Sequence, residues 1–205
     1  MDSALDQAVQ FLASPVAKSP EPEAVVEALL QAEKAAKQTK VHYAYPQLLG
    51  QWRLGFITGT RRSRQKAGTL LGAGRFLPPW VKIYLSYSSE SIIARSEAEL
   101  ESAPNQGTVA NLVELGPVQM VLTGPTQLWT QTNILGFDFT RIKVSLSGLK
   151  LYEGYIRGGQ DREAHFYGQT IKQQAFFNYF LVEESYIAAR GRGGGLALWT
   201  RARES

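Results

Sequence analysis

Two rhythms of apolar and polar residues divide the chain. Up to about residue 40, apolar positions recur every three or four residues: weakly at Leu5, Val9 and Leu12, then at Val25, Val26, Leu29 and Leu30. That is the spacing of amphipathic helices. Prolines at 15, 20 and 22 separate the two stretches, because each fixes φ and biases its predecessor away from helix. Ser19 is the expected N-cap of the second helix, with Pro20 in its first turn and Glu21 and Glu23 near the positive end of its dipole. The pattern predicts that this helix reaches about Lys40 and packs on the rest of the chain.

From Gly50 onward the period is two. Trp52, Leu54 and Phe56 share one face of a first strand, which Gly50 lets the chain enter tightly. Val81, Ile83, Leu85 and Tyr87 then alternate with Lys82, Tyr84 and Ser86. Residues 108–115 and 118–123 read as a hairpin around Gly116-Pro117, and Gly124-Pro125 reads as a turn into 126–133. Across 137–146 the apolar register changes from Phe137 and Phe139 to Ile142, Val144 and Leu146, which predicts a bulge near Thr140-Arg141. A strand over 149–156, a charged turn over 157–162, and strands over 176–182, 185–190 and 196–201 complete the series. Short strands between turn signals predict an antiparallel meander, and closure removes its edges. A Gly-x-Trp on the first such strand resembles the start of lipocalin-like (calycin) barrels. The expected fold is mainly β: an antiparallel lipocalin-like β-barrel over 45–205 with an N-terminal α-helical extension over 1–44.

Composition narrows the chemistry. No cysteine occurs among the 205 residues, which removes disulfides, thiolate nucleophiles and Cys-containing metal sites and fits a reducing compartment. Two histidines, His42 and His165, are too few for a His-rich metal centre. No P-loop and no nucleophile elbow occurs, so the chain is read as no enzyme, with no cofactor. The net charge is +4, and residues 1–40 carry four lysines against six carboxylates, a net of −2, so the remainder carries +6. Such a domain is attracted to anionic surfaces. Arg61, Arg62, Arg64 and Lys66 form the densest basic cluster, a candidate lip for lipid phosphates. Arg190-Gly191-Arg192-Gly193-Gly194-Gly195 resembles a nucleic-acid RGG segment, but its place between two strands makes it a hairpin turn, so no nucleic acid is expected. No apolar run is long enough to span a bilayer. The first residues lack the basic start and apolar core of a secretory signal, and are not Arg-rich as in a transit peptide.

The segment 180–201, with Glu183-Glu184 before a strand ending in Arg190-Gly191 and a last apolar strand ending in Arg201, resembles the C-terminal signature of the plastid lipid-associated protein (PAP)/fibrillin family. Leu49-Gly50-Gln51-Trp52-Arg53-Leu54 resembles its N-terminal signature. Asn111-Leu112-Val113 and Leu135-Gly136-Phe137-Asp138-Phe139-Thr140 resemble its middle strands. The chain departs from the family at Val182-Glu183 and at Tyr186-Ile187-Ala188-Ala189. The resemblance covers about residues 45–203 and, with no transit peptide, looks like a cyanobacterial member. It implies a barrel that binds carotenoids, quinones, other isoprenoids or lipids, in the cytoplasm and peripheral to thylakoid membranes. The alternatives are a structural coat or scaffold with a filled barrel, and a bilin lyase or chaperone of the same barrel class, for which no convincing set of interior polar groups is found.

An eight-stranded barrel has room for one small ligand. Its candidate lining is Trp52, Leu54, Phe56, Ile83, Leu85, Trp129 and Phe139. Gly50, Trp52, Arg190 and Arg201 are structural candidates: Arg201 or Arg190 on the closing strands is placed to stack over Trp52 and staple first strand to last.

Overall fold

A computed structural model of the chain describes residues 3–14, 16–59, 74–90 and 104–202. The basic cluster Arg61, Arg62, Arg64 and Lys66 lies outside the described residues. Helix α1 (Ala4–Ala13) opens with a capping box in which the Ser3 hydroxyl accepts from the Asp6 N–H and the Asp6 carboxylate accepts from the Ser3 N–H. Helix α2 (Pro22–Thr39) starts later than the sequence pattern predicts. Pro22, not Pro20, takes the first turn, and its N-cap is Glu21, which makes no side-chain capping bond. Two prolines so close cannot both be helical, because the second restricts the residue before it. A one-turn helix, α3 (Tyr45–Leu48), leads into the sheet.

The eleven strands among the described residues join one antiparallel sheet. They are β1 (Gly50–Ile57), β2 (Arg75–Phe76), β3 (Val81–Ser88), β4 (Gln106–Leu115), β5 (Val118–Trp129), β6 (Ile134–Phe137), β7 (Arg141–Leu146), β8 (Leu149–Tyr155), β9 (Ala175–Val182), β10 (Tyr186–Gly191) and β11 (Leu196–Arg201). The order β4-β3-β1-β11-β10-β9-β6-β5, with β5 returning to β4, closes an eight-stranded ring. β7 and β8 extend outward from the first half of β5, while its second half pairs with β6. The mainly β, lipocalin-like barrel with helices ahead of it is therefore the architecture of the chain.

Gly124-Pro125 is no turn: β5 runs straight through it, opposite Val109 and Thr108 of β4. The bulge lies on the facing strand. Between the pairs Thr126↔Phe137 and Thr123↔Arg141, two residues of β5 face three, Asp138, Phe139 and Thr140. The ladder survives through Asp138 N–H donating to Pro125 O (3.2 Å) and Thr140 N–H donating to Thr123 O (3.0 Å). The stretch read as a charged turn after β8 forms a further helix, α4 (Gly159–His165). Its Glu163 is buried and accepts from the Arg141 guanidinium and the Thr140 hydroxyl, while its Arg162 pairs with Asp138 at 2.7 Å. Asp138 is thus buried rather than solvated, and burial raises its carboxyl pKa even though Arg162 opposes the shift.

The wall of the barrel is buried on both sides where the helices lie. Inside, Trp52, Leu85, Tyr87, Val109, Leu128, Leu135, Tyr179 and Trp199 belong to one cluster. Outside, Leu5 and Ala8 of α1 and Val25 and Leu29 of α2 pack on Phe180, Ala188, Leu196 and Leu198. Arg190 does not reach Trp52. It faces α2 and holds buried Glu33 in a bidentate pair, with Nε at 2.8 Å from the carboxylate, and Lys37 adds a second cation at 3.1 Å. The bond from Arg190, and then Lys37, overcome burial and hold the Glu33 carboxyl below its ordinary 4.5. A lowered folded-state pKa means stability that is fully present above pH 4.5 and lost as pH falls through the folded value. The difference in thermal midpoint between the native chain and Glu33→Gln is therefore expected to be largest near neutrality and to shrink steadily on acidification. A gap unchanged below pH 4.5 would refute the assignment.

Candidate functional site

One end of the barrel is sealed by the chain itself. Tyr43, Tyr45 and Leu48 lie beneath β1 as part of the inner cluster, tied there by Tyr43 N–H donating to Asn133 Oδ1 (3.0 Å), Tyr43 O–H to Phe180 O (3.1 Å) and Tyr45 O–H to Ser88 O (2.9 Å). Trp52 sits on this floor, fully buried, donating from Nε1 to Leu48 O at 2.7 Å. The guanidinium of Arg201 lies 4.1 Å from the centre of its ring. Arg201 is steered there by donating to Glu184 O and Leu49 O, and Gly50 leaves it room: a Cβ at Gly50 would lie 2.8 Å from the guanidinium, on a backbone with φ of +105°. The first and last strands are thereby joined through side chains as well as the β1–β11 ladder. Above the floor, Tyr87 and Tyr179 share a hydrogen bond at 2.7 Å, and burial pushes both phenols up, so both stay neutral. This half of the barrel is filled with side chains.

The other end, open among the described residues, is apolar. Cross-strand partners share a face, so the pairing across β3, β4, β5, β7 and β8 defines three rows on the face of buried Leu85. Deepest is Leu85-Asn111-Leu122-Ile142, next Ile83-Val113-Met120-Val144-Tyr152, and outermost Val81-Leu115-Val118-Leu146-Leu149. Exposure grows along this gradient, from 3% at Leu85 to 49% at Leu115 and 72% at Leu149. Leu54, Phe139, Phe177 and Ala197 line the same end, half-buried against the inner cluster. One polar atom interrupts the deepest row: Asn111 Oδ1 is buried with no hydrogen-bond partner. A buried acceptor left unpaired costs about 1–3 kcal/mol.

Of the seven residues proposed as lining, five face the interior. Trp52 and Leu85 are sealed in the core, and Leu54, Ile83 and Phe139 stand at the open end. Two do not. β1 slips by one residue against β11 between Leu54 and Phe56, so Phe56 turns outward and packs under α1 and α2 with Phe76. Trp129 also faces outward, since its neighbour Leu128 takes the inner position. Its ring lies over Gly136, where a Cβ would come within 2.6 Å of it. Val113, Met120 and Leu122 were missed as lining, whereas Ile142 and Val144 belong to the one face of 137–146 expected to contribute to it. The signal was present, because these are alternate apolar positions of β4, β5 and β7, but their pairing needed the register.

Among the described residues, no group of three or more His, Asp or Glu is placed to hold a metal ion, and no helix is long and apolar enough to cross a membrane. His165 is engaged within its own helix, its Nδ1 lying 2.7 Å from Asp161 O. The Gly-rich segment after β10 is a hairpin turn, in which Gly191 N–H donates to Gly195 O and the Arg192 guanidinium donates to the carbonyls of Gln174 and Lys172.

The site so described is the apolar open end of a closed antiparallel barrel, a fold compatible with holding a small hydrophobic ligand. No family model and no curated protein matches the chain. Among solved structures, the chain is similar to a redesigned β-barrel at 11% identity and a TM-score of 0.35, over 80% of this chain and 99% of that one.

Proposed function

We propose that this protein binds an apolar small molecule, without catalysis, at the open end of its barrel. The observation that carries this reading is the continuous apolar face descending from exposed Leu149 through Val113 and Met120 to buried Leu85. Ligand sites are mostly apolar walls with few polar groups that set orientation, and Asn111 Oδ1 supplies one such group here. The resemblance to the PAP/fibrillin family supports an isoprenoid, carotenoid, quinone or other lipid as ligand, and the surface of a photosynthetic membrane as its place. The test is an absorption and native mass spectrum of the protein purified from a carotenoid- and quinone-containing host. A stoichiometric apolar ligand is expected. A clean apo mass, with no uptake of added carotenoid or quinone, would overturn the reading.

The exposed outer row, with Leu146 and Val118 both about 40% open, favours a second reading, a structural protein laid by this face on a lipid surface. One variant separates the two. Met120→Asp puts a carboxylate in the middle of the wall, where a ligand would have to desolvate it, and uptake is expected to fall at least about tenfold with little change in thermal midpoint. Trp129→Ala, outside the barrel, is expected to leave uptake unchanged.

A further inference from the structure

A second concavity lies on the outside of the wall, away from the open end. Gly55 of β1 carries no side chain outward, and Leu12 of α1 occupies that place: a Cβ at Gly55 would lie 2.3 Å from Leu12 Cδ1. This close approach sets α1 across the sheet and leaves beside it a groove of about 630 Å³. One side of the groove is apolar, formed by Val9, Leu12 and Ala13 of α1. Its floor is a polar row across three strands, because Tyr84 of β3, Arg53 of β1 and Thr200 of β11 are cross-strand partners.

The Arg53 side chain is half-buried and makes no hydrogen bond or ion pair with any described residue. Burying part of a guanidinium with no partner among the described residues is costly, and the groove is where the cost can be offset. Its other cation, Arg201, is already committed to Trp52, Glu184 O and Leu49 O. Its one carboxylate, Glu184, is exposed at the rim and forms no ion pair with Arg53, so the groove carries a net charge of +1. A planar fork of donors between two hydroxyls matches an oxyanion, and the α1 side matches a hydrocarbon chain.

We propose that this groove binds a single-chain amphiphile with an anionic head, with the head on Arg53 between Tyr84 and Thr200 and the chain along Val9 and Leu12. The site is separate from the open end of the barrel and stands or falls independently of the function proposed there. A carboxylate and a phosphate monoester share this chemistry.

The test is calorimetric titration of the full chain with decanoate and decyl phosphate, each below its micellar concentration, and with decanol below its solubility limit, together with the NMR signal of the Arg53 side-chain Nε–H. Both anions are expected to bind one to one, at least about tenfold more tightly than decanol, and to shift that signal. The tighter of the two anions identifies a phospholipid-like or a fatty-acid head. Arg53→Gln should remove the preference for anions, and Arg53→Lys should restore part of it. Met120→Asp should leave anion binding intact. Decanol binding as tightly as the anions, or anion binding that Met120→Asp abolishes, would overturn the proposal. So would an Arg53 signal that does not move in the native chain, a readout that stands even if Arg53→Gln fails to fold.

Discussion

Trp52→Ala is expected to cost about 3–5 kcal/mol of unfolding free energy, the range for truncating a fully buried large aromatic side chain. The indole is completely buried on the floor of the barrel, and its Nε1–H is the partner of Leu48 O. Its removal opens a cavity and strands that carbonyl together. Set against a typical total of about 5–15 kcal/mol, this loss brings the barrel close to unfolding. Arg201→Ala is expected to cost much less, about 1 kcal/mol, because the cation over the ring faces solvent on its other side. Urea denaturation of the two variants measures the contrast. Equal losses would mean that the cap, not the buried ring, holds the first and last strands together.

The second large effect is at Gly124→Ala. The bulge at 138–140 folds the backbone over this glycine, so that a Cβ would lie 1.7 Å from the carbonyl oxygen of Asp138 and 3.1 Å from the Thr140 nitrogen. Backbone atoms cannot step aside as a side chain can. To fit the methyl group, the bulge must move, weakening the bonds Asp138 N–H to Pro125 O and Thr140 N–H to Thr123 O. It also disturbs the ion pair that anchors α4 through Arg162. A loss of about 3 kcal/mol is expected, at the upper end for overpacking. A midpoint shift equivalent to less than about 0.5 kcal/mol, the scale of an ordinary surface change, would show that the bulge can move aside at no cost.

The strand rhythm was legible because, along most strands, one side meets the core and the other meets water. β11 falls at Leu196–Arg201 and β4 pairs with β5 around Gly116-Pro117, both readable from alternation and turn residues. The bulge before β7 was legible too, since the apolar phase changes between Phe139 and Ile142. Phe56 and Trp129 were not. Each stands where both faces of the wall are covered, so an apolar residue is tolerated on either side and alternation loses its meaning. Gly124-Pro125 looks like a turn because those residues usually are one; here glycine is required by the backbone opposite it. α4 was hidden for a related reason. It opens on Gly159 and Gln160 and continues in charged residues, and Glu163 and Arg162 are buried or half-buried only because Arg141 and Asp138 are brought to them from another part of the chain.

By itself the sequence determined the class of fold: a helical start, many short antiparallel strands, and a tryptophan on the first strand with an arginine on a closing strand placed to stack on it. These depend on local alternation, on turn chemistry and on residue type, all of which a linear pattern carries. Only the tertiary structure decided which residues face inward, which cation meets which partner, and where the wall is open. Those outcomes follow from cross-strand register, and a one-residue slip such as that between Leu54 and Phe56 turns the rest of a strand over. That is why Arg201 rather than Arg190 covers Trp52, and why the apolar open end is assembled from β3, β4, β5, β7 and β8.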